Sequence, residues 1–451
     1  MMQAVIIAAG LGRRLRGVSR GRPKPLVELA GLPLIERVIL TAKNAGVHKF
    51  VIVVGYRAKE IMEEVGDGSK YGVNIEYVKN NEWKRGNGLS LLKAKHKVKG
   101  RFFLLMADHI FESRIIEEMR YTKLAEDECL LATDSSPPKY INVKEATKVF
   151  VKNGYVKHIG KNLKEYNAVD CGIFLLSPSI FDAVEKVVEQ GADSLSDAIR
   201  LLAKQNKVRV YDVKNNFWID VDTEEDYLNA KKQLLKRLKK PTDGLIARHL
   251  NRPISIRISE KLASTNITPN AMTCITFFTA LCSGILFAFG SYISTVVASL
   301  TAQLSAILDG CDGEIARLKL IESKYGGWFD AILDRYADAA IIFGMAYGAA
   351  LSNPPQTVWV SAFFALLGSV MNSYTAMKYD EVFKEQAGRA RFGFRFGRDF
   401  RLFIVMVGGL INQLLGTIVL LAVITNAESI RRLYVIRNYA PCCTLTPRQH
   451  N

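Results

Sequence analysis

From Ala271 onward the chain is built of apolar runs, and nothing else in the sequence constrains its fold as strongly. AMTCITFFTALCSGILFAFG and SYISTVVASLTAQLSAIL are each about long enough to cross a hydrocarbon core. AILDRYADAAIIFGMAYGAAL, VWVSAFFALLGSVMNSYTAM, FRLFIVMVGGLINQ and LLGTIVLLAVITNAESI follow, giving about six spans with the last two poorly separated. Gly, Ala and Ser recur within them, as close helix packing in lipid prefers. The expectation is an all-α transmembrane unit over residues 270–437, followed by a tail over 438–451.

Into this apolar region the chain places DGCDGEIARLKLIESKYGGWFDAILD. Asp309 and Asp312, at i and i+3, lie on one helical face, and Asp330 and Asp334, at i and i+4, do the same on the next helix. Two facing pairs of carboxylates suit two divalent cations a few Å apart. Ionisable groups inside a membrane are costly, so four of them point to function. An ion channel or transporter is the rival reading, because acidic clusters also line ion paths. Against it, Gly313 and Ala316 are small enough to leave room for a bulky group, and Arg317 suits a phosphate.

The first half differs in composition. Short apolar runs (AVIIAAG, KFVIVVG, FFLLMAD, CGIFLLS) alternate with helical stretches such as LPLIERVILTAKNAG, which implies a mainly parallel sheet with helices on both faces. Ligands on such sheets bind at the carboxyl ends of the strands. Hydrophobic residues make up 49% of the chain and the mean hydropathy is +0.07, as a hybrid of soluble and membrane units requires. The excess of 61 Lys+Arg over 44 Asp+Glu, a formal +17, suits an anionic membrane surface or phosphorylated substrates. No basic arm or zinc-finger spacing accompanies it, so nucleic acid is not an expected partner. The odd, scattered set of seven cysteines, which includes the Cys442-Cys443 pair, fits a reducing compartment. MMQAVIIAAG lacks the charged start of a signal peptide and reads as a first strand.

The soluble unit is expected over 1–240, ending at the basic KKQLLKRLKK. Residues 241–269, with LIARHLNRPISIRISEKLAST, read as a linker and an amphipathic helix in the membrane interface. Basic segments precede the first span, separate the fourth from the fifth, and follow the sixth. With an even number of spans they share one side, which the positive-inside rule makes cytoplasmic. A multi-pass protein of the cell membrane is therefore expected, with its soluble unit and both sites facing the cytoplasm.

In AAGLGRRLRGVSRGRPKPL a strand runs into a Gly- and Arg-rich loop. Gly10 and Gly12 let the backbone approach a phosphate chain, and Arg13, Arg14 and Lys24 offset its charge. This stretch resembles the nucleotidyltransferases that join a nucleoside triphosphate to a sugar or polyol phosphate. The resemblance implies nucleotide binding by Ala8, Gly10, Gly12, Arg13 and Lys24, with Lys24 and Arg14 as catalytic cations. It implies metal ligation by Asp108 in LLMADHIF and Asp220 in WIDVDTEEDY. It also implies base selection in KRGNGLSLLKA through Gly86, Asn87 and Ser90. Lys139 and Lys161 are candidates for the acceptor's phosphate.

The spacing D-x2-D-G-x2-A-R-x8-G-x3-D-x3-D resembles the signature of the CDP-alcohol phosphotransferases at every position. The resemblance implies that Asp309, Asp312 and Asp330 ligate metals, while Asp334 also approaches them and takes a proton from the acceptor hydroxyl. Gly313 and Ala316 would leave space for the cytidine, and Arg317 would contact the diphosphate. Arg391, Arg398 and Arg401 in AGRARFGFRFGRDFRLF are candidates for a phosphorylated acceptor, against a plain positive flank. Together the two resemblances imply an α/β nucleotidyltransferase, Rossmann-like with a mainly parallel sheet, fused to a six-helix transmembrane domain.

One half makes a CDP-alcohol and the other uses one. The whole chain resembles the bifunctional family of hyperthermophilic archaea that makes di-myo-inositol phosphate phosphate, a compatible-solute precursor. That resemblance implies CTP, inositol 1-phosphate and CDP-inositol as substrates, and Mg²⁺ (or Mn²⁺) as cofactor, with two divalent ions in the membrane site. It also implies a homodimer among membrane lipids. A phospholipid synthase with a lipid alcohol acceptor is the alternative, and a degenerate, regulatory soluble half is another.

Overall fold

The computed structural model describes residues 2–240, 243–383 and 396–439. The chain divides into two compact units, Met1–Lys236 and Arg237–Asn451.

The first unit is organised by nine strands: β1 (Gln3–Ala8), β2 (Lys49–Val54), β3 (Asn74–Lys79), β4 (Phe102–Met106), β5 (Cys129–Asp134), β6 (Lys148–Lys152), β7 (Tyr155–Gly160), β8 (Ala168–Leu176) and β9 (Val208–Asp212). Their order across the sheet is β3-β2-β1-β4-β8-β5-β9-β7-β6. The β3-β2-β1-β4 stretch is parallel, as alternating strands and helices require. Beyond it the sheet becomes mixed, because β8 (the CGIFLLS run) pairs antiparallel with both β4 and β5. Alternate residues fill the two faces, so these strands read as continuous apolar runs. Val5, Val51, Val53, Leu104 and Phe174 share one core with Leu91, Leu195 and Ile199, while Ile6, Ile52, Phe103 and Leu105 are buried from the other side.

Among the described residues, seven helices of seven residues or more complete the unit: α1 (Leu34–Asn44), α2 (Ala58–Val65), α3 (Asn87–Lys93), α4 (Ser113–Arg120), α5 (Ser179–Glu189), α6 (Leu195–Lys204) and α7 (Glu224–Lys236). A two-stranded ribbon stands outside the main sheet. His109–Phe111 pairs antiparallel with Trp218–Asp220, setting Asp220 opposite His109. Residues more than a hundred positions apart are thereby brought to the end of β4.

In the second unit a π-helical turn, Ala247–Asn251, leads into α8 (Arg252–Ala263). Among the described residues six helices follow: α9 (Pro269–Ala288), α10 (Tyr292–Leu318), α11 (Lys324–Ala350), α12 (Pro355–Phe383), α13 (Arg398–Leu410) and α14 (Leu414–Tyr439). Thr268, Ser291 and Ser323 cap α9, α10 and α11 with their hydroxyls, which explains where those helices begin.

Four of the six, α9, α10, α12 and α14, are long and apolar enough to cross a membrane. Helix α11 has the length but carries Lys324, Asp330, Asp334, Arg335 and Asp338. Helix α13, read above as a fifth span, has 13 residues. At ~1.5 Å per residue it falls short of the hydrocarbon core. Its helix stops at Leu410 because Asn412 takes a left-handed conformation, φ 58°.

Candidate active sites

In the first unit the loop after β1 carries Gly10 and Gly12. Gly12 has φ +61°, and a Cβ there would stand 2.4 Å from Cβ of Lys24, so a side chain is excluded twice over. Ala8 is buried at the end of β1. The close approach delivers Lys24 to two carboxylates: Nζ lies 2.5 Å from Asp108 Oδ2 and 2.5 Å from Asp222 Oδ1. Arg14 pairs with Asp222 at 2.7 Å and with Glu145. The side chain of Arg13 lies outside the described residues.

The ribbon brings Asp108, His109 and Asp220 together, with one ligand atom from each within 4.8 Å of the others. His109 Nδ1 is 2.9 Å from Asp108 Oδ1 and 3.7 Å from Asp220 Oδ1. The electrostatics follow from this crowding. Burial works against the Lys24 ammonium, but Asp108, Asp220 and Asp222 outweigh it and raise its pKa. Burial would likewise raise Asp108, yet Lys24 and His109 hold it well below the usual carboxylate range. Burial would lower His109, but Asp220 and Asp108 bring it up to about 9. Asp220 is pushed up to about 6 by burial, with His109 opposing, and its Oδ1 is buried without a hydrogen-bond partner. An unsatisfied carboxylate oxygen beside a second carboxylate fits a hard divalent cation.

A cavity of about 270 Å³ opens beside these groups, lined among others by Asn87, Asp108, Lys161, Asp170, Trp218 and Asp220. Asn87 is partly committed to the scaffold, since its Oδ1 accepts from the backbone N–H of Leu195 at 2.8 Å. Gly86 approaches Asp193 so closely that a Cβ would sit 2.3 Å from its carbonyl oxygen. The segment read as base-selecting is thus fastened to the start of α6, and Ser90 is buried against Asn80. Lys161 reaches the cavity; Lys139, exposed on a loop, is not among its lining residues.

In the second unit, Asp309 on α10 and Asp330 and Asp334 on α11 present carboxylate oxygens within 4.8 Å of one another. Asp312 faces α9 as well, accepting from Thr273 Oγ1 at 2.7 Å. Three convergent carboxylates with a fourth one turn away fit divalent cations. Ala316 is 8% exposed, and Arg317 lies over Gly313.

Arg398, at the start of α13, bonds to Asp309, lies 2.5 Å from Asp334 and reaches Asp338 at 3.1 Å. Arg401, one turn on, reaches Asp338 at 2.6 Å, and Ser369 donates to the same carboxylate at 2.8 Å. Arg398 therefore stands beside Asp334, and both arginines are tethered by the buried Asp338 rather than free on a flank. Arg391 lies outside the described residues. A cavity of about 290 Å³ borders Asp334, Arg398 and Arg401, with Asn372, Ser373 and Arg432 also in its wall. Among the described residues, Arg398 Nη2 and Asn372 Oδ1 are buried there without hydrogen-bond partners.

Comparison with known proteins agrees with this division. The Nucleotidyl transferase family matches residues 3–237, and the CDP-alcohol phosphatidyltransferase family matches residues 266–427. The chain is 36% identical over 442 residues to the bifunctional IPC transferase and DIPP synthase of Aquifex aeolicus, covering 96% of this chain and 97% of that protein. The Thermococcus kodakarensis protein of the same name is 39% identical, again covering 96% of this chain and 97% of the relative. The chain belongs to this bifunctional family. A solved structure of the inositol-1-phosphate CTP transferase from T. maritima is 26% identical, with a TM-score of 0.47, covering 51% of this chain and 96% of that one. As a family member the protein is a bifunctional transferase, a membrane protein with a nucleotidyltransferase half and a CDP-alcohol phosphotransferase half.

Several groups at the two candidate sites of this bifunctional transferase are not apparent from the motifs. Asp222, the last residue of WIDVD, carries no motif of its own, although it shares Lys24 with Asp108. His109 directly follows Asp108, and only the ribbon register sets it opposite Asp220. Asp338 continues the four-residue spacing of Asp330 and Asp334, a signal that was available. Arg432 and Asn372 carried no signal, since only the packing of α12 and α14 brings them to the cavity.

Proposed function

We propose that the protein makes CDP-inositol from CTP and inositol 1-phosphate. It then transfers phosphoinositol from CDP-inositol to a second inositol 1-phosphate, releasing CMP and di-myo-inositol phosphate phosphate. The observation carrying this reading is that each unit holds its own convergent carboxylates with an adjoining cation and cavity, in a chain matching bifunctional relatives over nearly its whole length.

In the first half-reaction, Lys24 and Arg14 offset charge on the triphosphate while the acceptor's phosphate oxygen attacks the α-phosphorus and diphosphate leaves. The loop at Gly10 and Gly12 gives the phosphates room against the backbone, and Lys161 stands in the cavity where the acceptor's phosphate would lie. In the second, Asp334 takes the proton from an acceptor hydroxyl. The resulting oxygen forms a bond to the phosphorus bearing inositol, and the bond from that phosphorus to CMP breaks. Arg398 and Arg401 favour an acceptor that itself carries a phosphate, and Arg317 receives the donor's diphosphate. Divalent ions, Mg²⁺ or Mn²⁺, held by Asp108 and Asp220 in one unit and by Asp309, Asp312, Asp330 and Asp334 in the other, would supply charge stabilisation at the transferring phosphorus. Both sites face the cytoplasm in this reading, and the protein works as a homodimer in the lipid bilayer.

Purified protein in detergent with Mg²⁺, CTP and inositol 1-phosphate, followed by ³¹P NMR, tests the proposal. Diphosphate, CMP and a new phosphodiester bearing a phosphomonoester are expected. Accumulation of CDP-inositol alone would point to a lipid acceptor, and no consumption of CTP would refute the first half.

A further inference from the structure

Glu314 lies on α10 between Asp312 and Arg317 and is 0% exposed. It belongs to none of the metal-spaced acids. Three side chains of α8 satisfy it: Arg252 Nη1 at 2.6 Å, Ser255 Oγ at 2.8 Å and Ser259 Oγ at 2.7 Å. Arg252 is held in turn by Asp243, at 3.0 Å from Nε and 3.1 Å from Nη2. Burying an ion pair is costly, and an apolar contact would hold two helices together at least as well. Simple adhesion of α8 to α10 therefore does not explain a carboxylate at this position.

Its position does. Glu314 and Arg317 are i and i+3 on one helix, a spacing at which an acid and a base ordinarily pair. They do not pair here. Among the described residues Arg317 makes no ion pair, and its Nε is buried without a hydrogen-bond partner. Its guanidinium instead lies over Gly313, with Nη1 3.2 Å from where a Cβ would stand. A buried guanidinium nitrogen with nothing to donate to is expensive unless a ligand completes it.

We propose that Arg252 is a positioning residue for the donor substrate: together with Ser255 and Ser259 it occupies Glu314, so that Arg317 stays free for the diphosphate of a CDP-alcohol. The segment ahead of the spans then forms part of the transferase site. This rests on the reading of Arg317 as the diphosphate contact, and the test separates the two.

Steady-state kinetics of the full chain in detergent, with CDP-inositol and inositol 1-phosphate supplied and Mg²⁺ present, reads the effect. Arg252→Ala should raise the KM for CDP-inositol by about tenfold or more, the size of one lost charge-assisted contact. The KM for inositol 1-phosphate and the rate of CDP-inositol synthesis from CTP should not change. The double variant Arg252→Ala/Glu314→Gln should recover most of the donor KM, because the competing carboxylate is gone. A purely structural role predicts the reverse, since removing a second buried partner deepens the damage.

Arg317→Ala should raise the donor KM and make Arg252→Ala silent in its background. If Arg317→Ala raises the donor KM but Arg252→Ala does not, the proposal is overturned and the donor role of Arg317 survives. An unchanged donor KM in Arg317→Ala overturns the donor role itself. Should Arg252→Ala not yield folded protein, Ser259→Ala, which removes one donor to Glu314 without removing a charge, carries the test. A smaller rise in donor KM is then expected, and no rise refutes the proposal.

Discussion

At the scale of single residues, the two units use the same device: a cation held against carboxylates at the edge of a cavity. Lys24 between Asp108 and Asp222 does this in the soluble half. Its replacement by alanine removes a buried positive charge and leaves carboxylates facing one another. Lys24→Ala should therefore lower CDP-inositol synthesis by about a hundredfold or more, the loss typical of a group aimed at transition-state charge. Adding CDP-inositol should restore the final product, which an assay of CMP release would show. Asp334→Asn should do the opposite. It keeps the shape of the side chain but removes the proton acceptor, so CDP-inositol should accumulate while CMP release stops. Most of these residues were legible from short motifs, because a phosphate-binding loop and a paired-acid spacing are local in sequence. Asp222 is not legible in this way, since what gives it a role is Lys24, a partner distant in the chain, whereas Asp338 carries a local signal in its four-residue spacing from Asp334.

At the scale of elements, small residues decide how closely the membrane helices pack. A Cβ added to Gly344 on α11 would stand 1.9 Å from the carbonyl oxygen of Gly284 on α9, and one added to Gly284 would stand 2.5 Å from that of Ala340. Backbone meets backbone there, so no rotamer change can relieve an added methyl. Gly344→Ala should destabilise the membrane unit by about 1–3 kcal/mol, as overpacking does. A lower unfolding temperature in detergent, with CDP-inositol synthesis intact, is the expected observation. Gly344 sits on the helix that carries Asp330 and Asp334, so loosening this contact should also slow transfer. The types of the elements quoted from the sequence were legible, because apolar length and period are local properties. The antiparallel insertion of β8 was not, since pairing direction depends on which strand lies alongside. The short α13 was likewise read as a full span, because an apolar run continues across the break near Asn412.

At the scale of the whole molecule, two compact units each carry their own cluster of candidate metal-binding groups. A Lys24→Ala protein and an Asp334→Asn protein, each unable to complete the sequence alone, should therefore complement when mixed, with CDP-inositol passing between them. Formation of the phosphodiester in the mixture, measured by ³¹P NMR, is expected; none would mean that the intermediate never leaves the chain that made it. Chelation of divalent ions should stop both half-reactions, and returning Mg²⁺ should restore both, because each unit clusters carboxylates that could hold such ions.

By itself the sequence determined that this protein joins a Rossmann-like soluble unit to a bundle of membrane helices, and it placed acids and arginines at spacings that suit two phosphate-handling sites. Those are consequences of periodicity, span length and the cost of charge in lipid, all of which act over a few residues. Only the tertiary structure decided which side chains share a charge. It set Asp220 against His109 through a ribbon, tethered Arg398 and Arg401 to Asp338, and gave Glu314 to Arg252 rather than to its neighbour Arg317. Electrostatic pairing falls off over a few Å of space, and distance in space is what a linear pattern of residues does not contain.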